Sequence, residues 1–166
     1  MIMDEKTGLS RTLVLLKPDA VQRGVCGEVL HRFERAGFNI VGMKLIWATI
    51  DIAKEHYSEH VKKSFYPGLE KGITEKPVIA ICFEGIEAVE NVRRLVGPTI
   101  PKDAPPGTIR GDFAHHTIKA RDCKGLSVAN LIHASSNNEE AAKEISIWFK
   151  PEELIKYGKL DDCYTF

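Results

Sequence analysis

Apolar residues along this chain come in short blocks, some unbroken and some repeating at helical spacing. Residues 12–16, Thr-Leu-Val-Leu-Leu, form an unbroken run of the kind a buried strand shows. Lys17-Pro18-Asp19 then breaks it into a turn or short helix. Over residues 24–36, Val25, Val29 and Phe33 recur every four residues and Gly37 supplies a stop, which predicts a helix. Residues 38–49 are mostly β-branched and apolar and read as a second strand. Asp51 is the expected cap of a helix running to about His60, and residues 65–71 read as a short helix closed by Gly72. A third strand is expected over 77–83, then a helix over 85–96 stopped by Gly97. The loop after it carries Pro98, Pro101, Pro105 and Pro106, which restrict its unfolded states. Leu131 and Ile132 mark a last short strand. Ser136-Asn137-Asn138-Glu139 has the form of a capping box before a helix over 139–149. Pro151 opens a final short helix, and the tail reads as irregular.

This order of elements suits an α+β domain, a ferredoxin-like sandwich. It would have a four-stranded, mainly antiparallel sheet with helices packed on one face. A doubly wound parallel sheet is the competing arrangement. The 166 residues suffice for one domain with its own core, spanning the whole chain, and there are no repeats or linkers. Charge changes the picture by exclusion. Lys+Arg and Asp+Glu both number 23, so no broad basic face for nucleic acid is expected. The cysteines at 26, 82, 123 and 163 show no close pairing, which suits a reducing cytoplasm. The first residues lack an apolar leader core, and no apolar run is long enough to span a bilayer.

The candidate chemistry gathers late in the chain. His133 stands where the last strand turns into a helix, a place from which an imidazole can face a cleft. Upstream, residues 106–113 form a stiff loop that offers Arg110. An imidazole beside anion-binding groups suggests phosphoryl transfer through the histidine itself. A structural histidine is the other reading. Arg93 falls on the apolar stripe of Ile86, Val89 and Val96, so its guanidinium needs an anion or a route to water. Lys17 ends the first strand. Glu144 borders the inner face of the last long helix, where it could orient His133. His56 and His60 have a spacing that would suit a metal, as do His115 and His116 with Cys123, but neither set completes a known zinc pattern. The glycine-rich phosphate loops are absent, so a nucleotide would have to be gripped by side chains such as Lys17, Arg93, Arg110 and Thr99.

Taken together, several segments resemble the nucleoside diphosphate kinase family. They are residues 12–24 (Thr-Leu-Val-Leu-Leu-Lys-Pro-Asp-Ala-Val-Gln-Arg-Gly), 32–38 (Arg-Phe-Glu-Arg-Ala-Gly-Phe), 56–59 (His-Tyr-Ser-Glu) and 65–69 (Phe-Tyr-Pro-Gly-Leu). To these add 106–113 (Pro-Gly-Thr-Ile-Arg-Gly-Asp-Phe), 130–135 (Asn-Leu-Ile-His-Ala-Ser) and 144–149 (Glu-Ile-Ser-Ile-Trp-Phe). The resemblance implies Mg²⁺-dependent transfer of the γ-phosphate of a nucleoside triphosphate such as ATP to a nucleoside diphosphate, through a phosphohistidine. It implies His133 as the nucleophile, and Lys17, Tyr57, Arg93, Thr99, Arg110 and Asn130 as phosphate and ribose contacts. Phe65 and Leu69 would be the walls around the base, Glu144 the carboxylate that steadies the histidine, and Glu59 and Ser135 its support. Mg²⁺ would be held mainly by phosphates and water, with no firm protein ligand. The resemblance further implies a homo-oligomer, hexamer or tetramer, and the scattered cysteines with the lack of a leader core imply a cytoplasmic setting.

The chain departs from the family's pattern in places. Residues 115–127 lengthen the connection before the histidine strand, within a segment spanning 114–129. Val128-Ala129 replace a usual Gly-Arg, Ala134 a glycine, Ser136 an aspartate, Ser64 a proline and Ile100 an asparagine. None of these removes a group the chemistry requires. Two other functional classes compete: a non-catalytic binding module on the same fold, and a metal-dependent hydrolase built on His56 and His60.

Overall fold

The computed structural model describes residues 4–117 and 129–158. Most of the lengthened 114–129 segment, together with Cys123, Cys163 and the end of the tail, lies outside the described residues. The element order is β1 (Leu9–Leu16), α1 (Pro18–Gln22), α2 (Cys26–Arg35), β2 (Asn39–Ile46), α3 (Ile50–His56) and α4 (Tyr66–Thr74). There follow β3 (Val78–Ile86), α5 (Ala88–Val96), a 3₁₀ turn (Pro101–Asp103), α6 (Ile109–Phe113), β4 (Ile132–Ala134), α7 (Asn138–Trp148) and a second 3₁₀ turn (Pro151–Glu153). The strands form one sheet in the order β2-β3-β1-β4 with every pair antiparallel, so the parallel alternative fails. Leu13 pairs with Cys82 across β1 and β3, and Leu15 pairs with His133 across β1 and β4.

The helices cover both faces of the sheet, not one. Val14 and Leu16 of β1 face a core with Phe33 of α2, Phe83 and Val92, while Leu13 and Leu15 face a second core with Ala53 of α3, Tyr66 and Trp148. This is why β1 reads as an unbroken apolar run: a strand covered on both faces has no polar side to alternate with. Phe33 and Phe83 pack as a tilted pair in the first core, with ring centroids 4.6 Å apart.

Boundaries moved where a local contact outweighed the pattern. Gly85 belongs to β3, where it pairs with Ser10 of β1, rather than to the next helix, and Phe38 packs so closely there that a Cβ would lie 2.7 Å from its Cδ1. Helix α3 ends at His56 and is capped by Thr49, whose Oγ1 accepts from the Ile52 amide at 3.2 Å, so Asp51 lies inside it. Helix α4 runs through Gly72 to Thr74. The Ser136–Glu139 capping box does not form. Asn137 caps α7 by accepting from the Glu140 amide at 2.7 Å, and Ser136 instead bonds the Glu140 carboxylate. What read as a rigid loop at 106–113 contains α6, capped by Thr108 Oγ1 accepting from the Gly111 amide at 3.1 Å.

Candidate active site

Two adjacent elements, β4 and α7, meet the remote helix α3 at the outer edge of the sheet. The strand carries His133 beside Leu15 of β1, and α7 follows directly, bringing Glu144 under the imidazole. Glu144 Oε1 lies 2.8 Å from His133 Nε2, and the carboxylate is almost fully buried. Its other oxygen accepts from Ser135 Oγ at 2.5 Å, and Ser135 Oγ accepts in turn from the Leu13 amide at 3.3 Å. The carboxylate is thereby fixed to the central strand. His133 Nε2 has no solvent exposure, yet the side chain keeps 20% of its surface. The exposed part of the side chain therefore lies away from Nε2.

The third contributor is His56 of α3. Its side chain is fully buried, its Nδ1 accepts from Trp148 Nε1 at 3.3 Å, and its ring stands 4.6 Å from that of His133. From the sequence, His56 stood as a structural or surface histidine or a metal partner of His60, not as a neighbour of His133. The signal that would have placed it is the inner stripe of α3, on which Ala53, His56 and Tyr57 recur at helical spacing. Among the described residues, His56, His133 and Glu144 are also the one grouping with metal-ligand atoms close together, within 4.8 Å. Two imidazoles and one carboxylate would suit a borderline-soft ion and not Mg²⁺.

On the accessible side of His133 a cavity of about 390 Å³ opens. It is lined by nine of the twelve residues singled out from the sequence: Lys17, Tyr57, Phe65, Leu69, Arg93, Thr99, Arg110, Asn130 and His133. Glu59 and Glu144 line an adjoining cavity of about 420 Å³ that shares His133 and Tyr57 with the first. Ser135 is buried behind both. Arg93 stands four residues after Val89 and three before Val96, at the margin of the buried stripe of α5 (Ala88, Val89, Val92 and Val96), and its guanidinium finds its outlet in the cavity.

A hydrogen-bonded frame sets the cationic wall. Lys17 Nζ donates to Asn130 Oδ1 at 2.8 Å, and Asn130 Nδ2 donates to the Thr99 carbonyl at 2.9 Å. Arg110 is buried and donates to three backbone carbonyls: Gly97 at 2.8 Å, Ile132 at 2.6 Å and Asn130 at 3.3 Å. A guanidinium has five N–H donors, so Arg110 keeps others for a ligand while tying α5's end to the histidine strand.

Burial dominates the electrostatics. It pushes His133 down to about 3, with Lys17 adding to the effect, so the imidazole is neutral at physiological pH. His56 is likewise pushed down to about 3 by burial and by His133. Burial lifts Glu144 to about 7 against the pull of His56. Lys17 is pushed down to about 8 by burial, which Asp19 opposes and Arg110 reinforces. Arg110 falls to about 10, by burial and then Arg93. Tyr57 is driven well above the usual phenol range, chiefly by burial. The site thus presents a neutral, oriented imidazole to a cavity whose opposite wall carries three cations. That arrangement suits attack on the phosphorus of a polyanion.

The family profile described as "Nucleoside diphosphate kinase" matches residues 10–154. The chain is 49% identical over 154 residues to the nucleoside diphosphate kinase of Pyrococcus horikoshii, covering 93% of this chain and 94% of that one. To a nucleoside diphosphate kinase of Thermus thermophilus it is 48% identical, covering 89% and 100%. Among solved structures it resembles a transition-state mimic of nucleoside-diphosphate kinase from Borrelia burgdorferi with bound vanadate and ADP. The TM-score is 0.91 at 43% identity, covering 95% and 97% of the two chains. A nucleoside diphosphate kinase from Halobacterium salinarum in complex with CDP superposes with a TM-score of 0.83 at 37% identity, covering 95% and 98%.

Proposed function

The chain belongs to the nucleoside diphosphate kinase family, and from that premise we propose that His133 carries the phosphoryl group between a nucleoside triphosphate and a nucleoside diphosphate. One observation carries this reading: His133, with Glu144 2.8 Å from its Nε2, lines the same cavity as Lys17, Arg93 and Arg110.

The steps follow from the geometry. A nucleoside triphosphate such as ATP enters with its base against Phe65 and Leu69. Such walls stack on any base and read no base edge, which favours purines and pyrimidines alike. Lys17, Arg93 and Arg110 take the phosphates, and Thr99 and Asn130 frame them. The Nδ1 lone pair forms a bond to the γ-phosphorus, the bond from that phosphorus to the bridging oxygen breaks, and the nucleoside diphosphate departs with the electron pair. As the ring gains positive character, the Glu144 carboxylate, 2.8 Å from Nε2, stabilises that charge where it develops. A second nucleoside diphosphate then occupies the same cavity and its terminal oxygen takes the phosphoryl group back. Tyr57 packs beside His56 at 4.6 Å and closes the cavity beside the imidazole.

Mg²⁺ fits this site as a cation brought in on the nucleotide. The one ligand grouping among the described residues is imidazole-rich, and the cavity side offers cations to phosphate oxygens. Bound there, Mg²⁺ would neutralise phosphate charge, held mainly by the phosphates and water. The reading carries a cytoplasmic setting and a homo-oligomer, hexamer or tetramer. Supporting the latter, the edge strand β2 leaves Met43 and Leu45 exposed, with Trp47 just beyond. No helix among the described residues is long and apolar enough to cross a membrane.

The test is a transfer assay with Mg-ATP and a second nucleoside diphosphate. Wild type should yield the new triphosphate and His133→Ala should not. Equal rates for the two would refute the assignment.

A further inference from the structure

The strand that carries His133 is launched from a strained turn. Leu131 has φ +67°, a conformation that L side chains with a branched bulk rarely adopt, and it is completely buried. The Ile132 amide donates to the Asn130 carbonyl at 2.7 Å, closing a three-residue γ-turn of the uncommon positive-φ kind. Asn130 sits at one end of this turn and His133 begins one residue past the other. A turn of this kind persists only where its surroundings over-determine it.

Here they do. The Asn130 and Ile132 carbonyls accept from Arg110, and the Leu131 carbonyl accepts from the Lys17 amide at 2.8 Å. That leaves the Leu131 amide, which donates to Asp19 Oδ2 at 3.0 Å. Asp19 belongs to α1, directly after Lys17, and does not line the nucleotide cavity.

We propose that Asp19 is a positioning residue for phosphoryl transfer: its carboxylate clamps the amide of the strained Leu131 turn and so sets Asn130 and His133 together, while its charge offsets Lys17. This rests on the proposed role of His133. The carboxylate has two separable tasks, one of shape and one of charge. The first needs only an oxygen acceptor at the Leu131 amide. The second is felt at Lys17, which Asp19 faces from α1, Arg110 from α6 and His133 from β4, with Arg93 of α5 lining the same cavity. Of these groups Asp19 is the anion that holds the Lys17 proton on, against burial and Arg110.

The two tasks are separated by Asp19→Asn and Asp19→Ala. Asparagine keeps an oxygen that can accept from Leu131 and loses the charge; alanine loses both. Each full-length variant is mixed with Mg-ATP, and formation of acid-labile phosphate is followed by intact mass against time and pH. Asp19→Ala should still reach one phosphate per chain but on the order of 10- to 100-fold more slowly, as a misplaced reacting group does. Asp19→Asn should react near the wild-type rate at pH 6, below its alkaline limb, and that limb should be displaced to lower pH. Wild-type kinetics in Asp19→Ala would overturn the proposal, and so would an Asp19→Asn variant as slow as Asp19→Ala at pH 6. If Asp19→Ala does not fold, the alkaline limb of Asp19→Asn decides alone: displaced supports the role, unmoved overturns it. A wild type that forms no phosphohistidine at all would instead refute the assignment of His133, a separate result.

Discussion

A histidine that is to be a nucleophile must be neutral, oriented and open on one nitrogen, and His133 obtains each property from a different neighbour. Burial and Lys17 keep it neutral, Glu144 takes Nε2, and the cavity leaves the other side open. Lys17 bears the cost of this arrangement, as a half-buried cation beside Arg110 whose proton is lost near pH 8. From this follows an alkaline limb near that pH in kcat/KM, which reports the free enzyme. In kcat the limb should lie higher, since bound phosphate favours the charged amine. Steady-state profiles check this, and coincident limbs would contradict it. At this scale the residue types were legible: His133, Lys17, Arg110 and Glu144 stand out by where they fall in the pattern and by the motifs around them. His56 was not read as part of the site, because its partners Glu144 and Trp148 come from a helix far along the chain. Arg93 was legible as a cation on an apolar stripe, but its outlet was not, because the cavity it reaches is built by elements remote from α5.

Among the elements, β4 contributes three residues and is held mainly by what surrounds it. Arg110, from α6, is its chief brace, with three carbonyl bonds that no lysine could reproduce. Arg110→Lys should therefore cost stability as well as rate. Leaving buried carbonyls unmatched costs roughly 1–3 kcal/mol each, so a loss of about 2 kcal/mol or more is expected. A lowered urea midpoint together with a fall in kcat is the predicted outcome; a fall in kcat at an unchanged midpoint would mean Arg110 acts on the ligand alone. The existence and order of the strands and main helices were readable because their periodicity is strong. Their ends were not, since Thr49 and Asn137 act as caps through backbone geometry that neighbouring Asp51 and Ser136 could equally have offered. The two-faced packing of the sheet was foreshadowed by the unbroken apolar run of β1, which a one-faced sheet would not need.

For the whole molecule, the buried imidazoles tie stability to pH. An unfolded chain takes protons on His56 and His133 below about 6.5, whereas the folded chain holds both neutral to about 3. Glu144 acts in the opposite sense, binding its proton below about 7 when folded and below 4.5 when unfolded. Between about 4.5 and 6.5 the unfolded state therefore holds 2 − 1 = 1 extra proton from these groups, and stability falls as pH falls. Below 4.5 the Glu144 offset vanishes, leaving the two histidines and a steeper loss. Denaturation midpoints across this range check the sign; a midpoint that rises on acidification to pH 4.5 would contradict the buried neutral histidines.

The same neutral imidazole is the centre of the functional account, and its phosphorylation can be seen directly. Intact-mass measurement after brief treatment with Mg-ATP should find one acid-labile phosphate per chain, which disappears on adding a nucleoside diphosphate as the matching triphosphate forms. His133→Ala should stay unmodified. Acid-labile phosphate of equal amount on His133→Ala, or none on the wild type, would contradict the account.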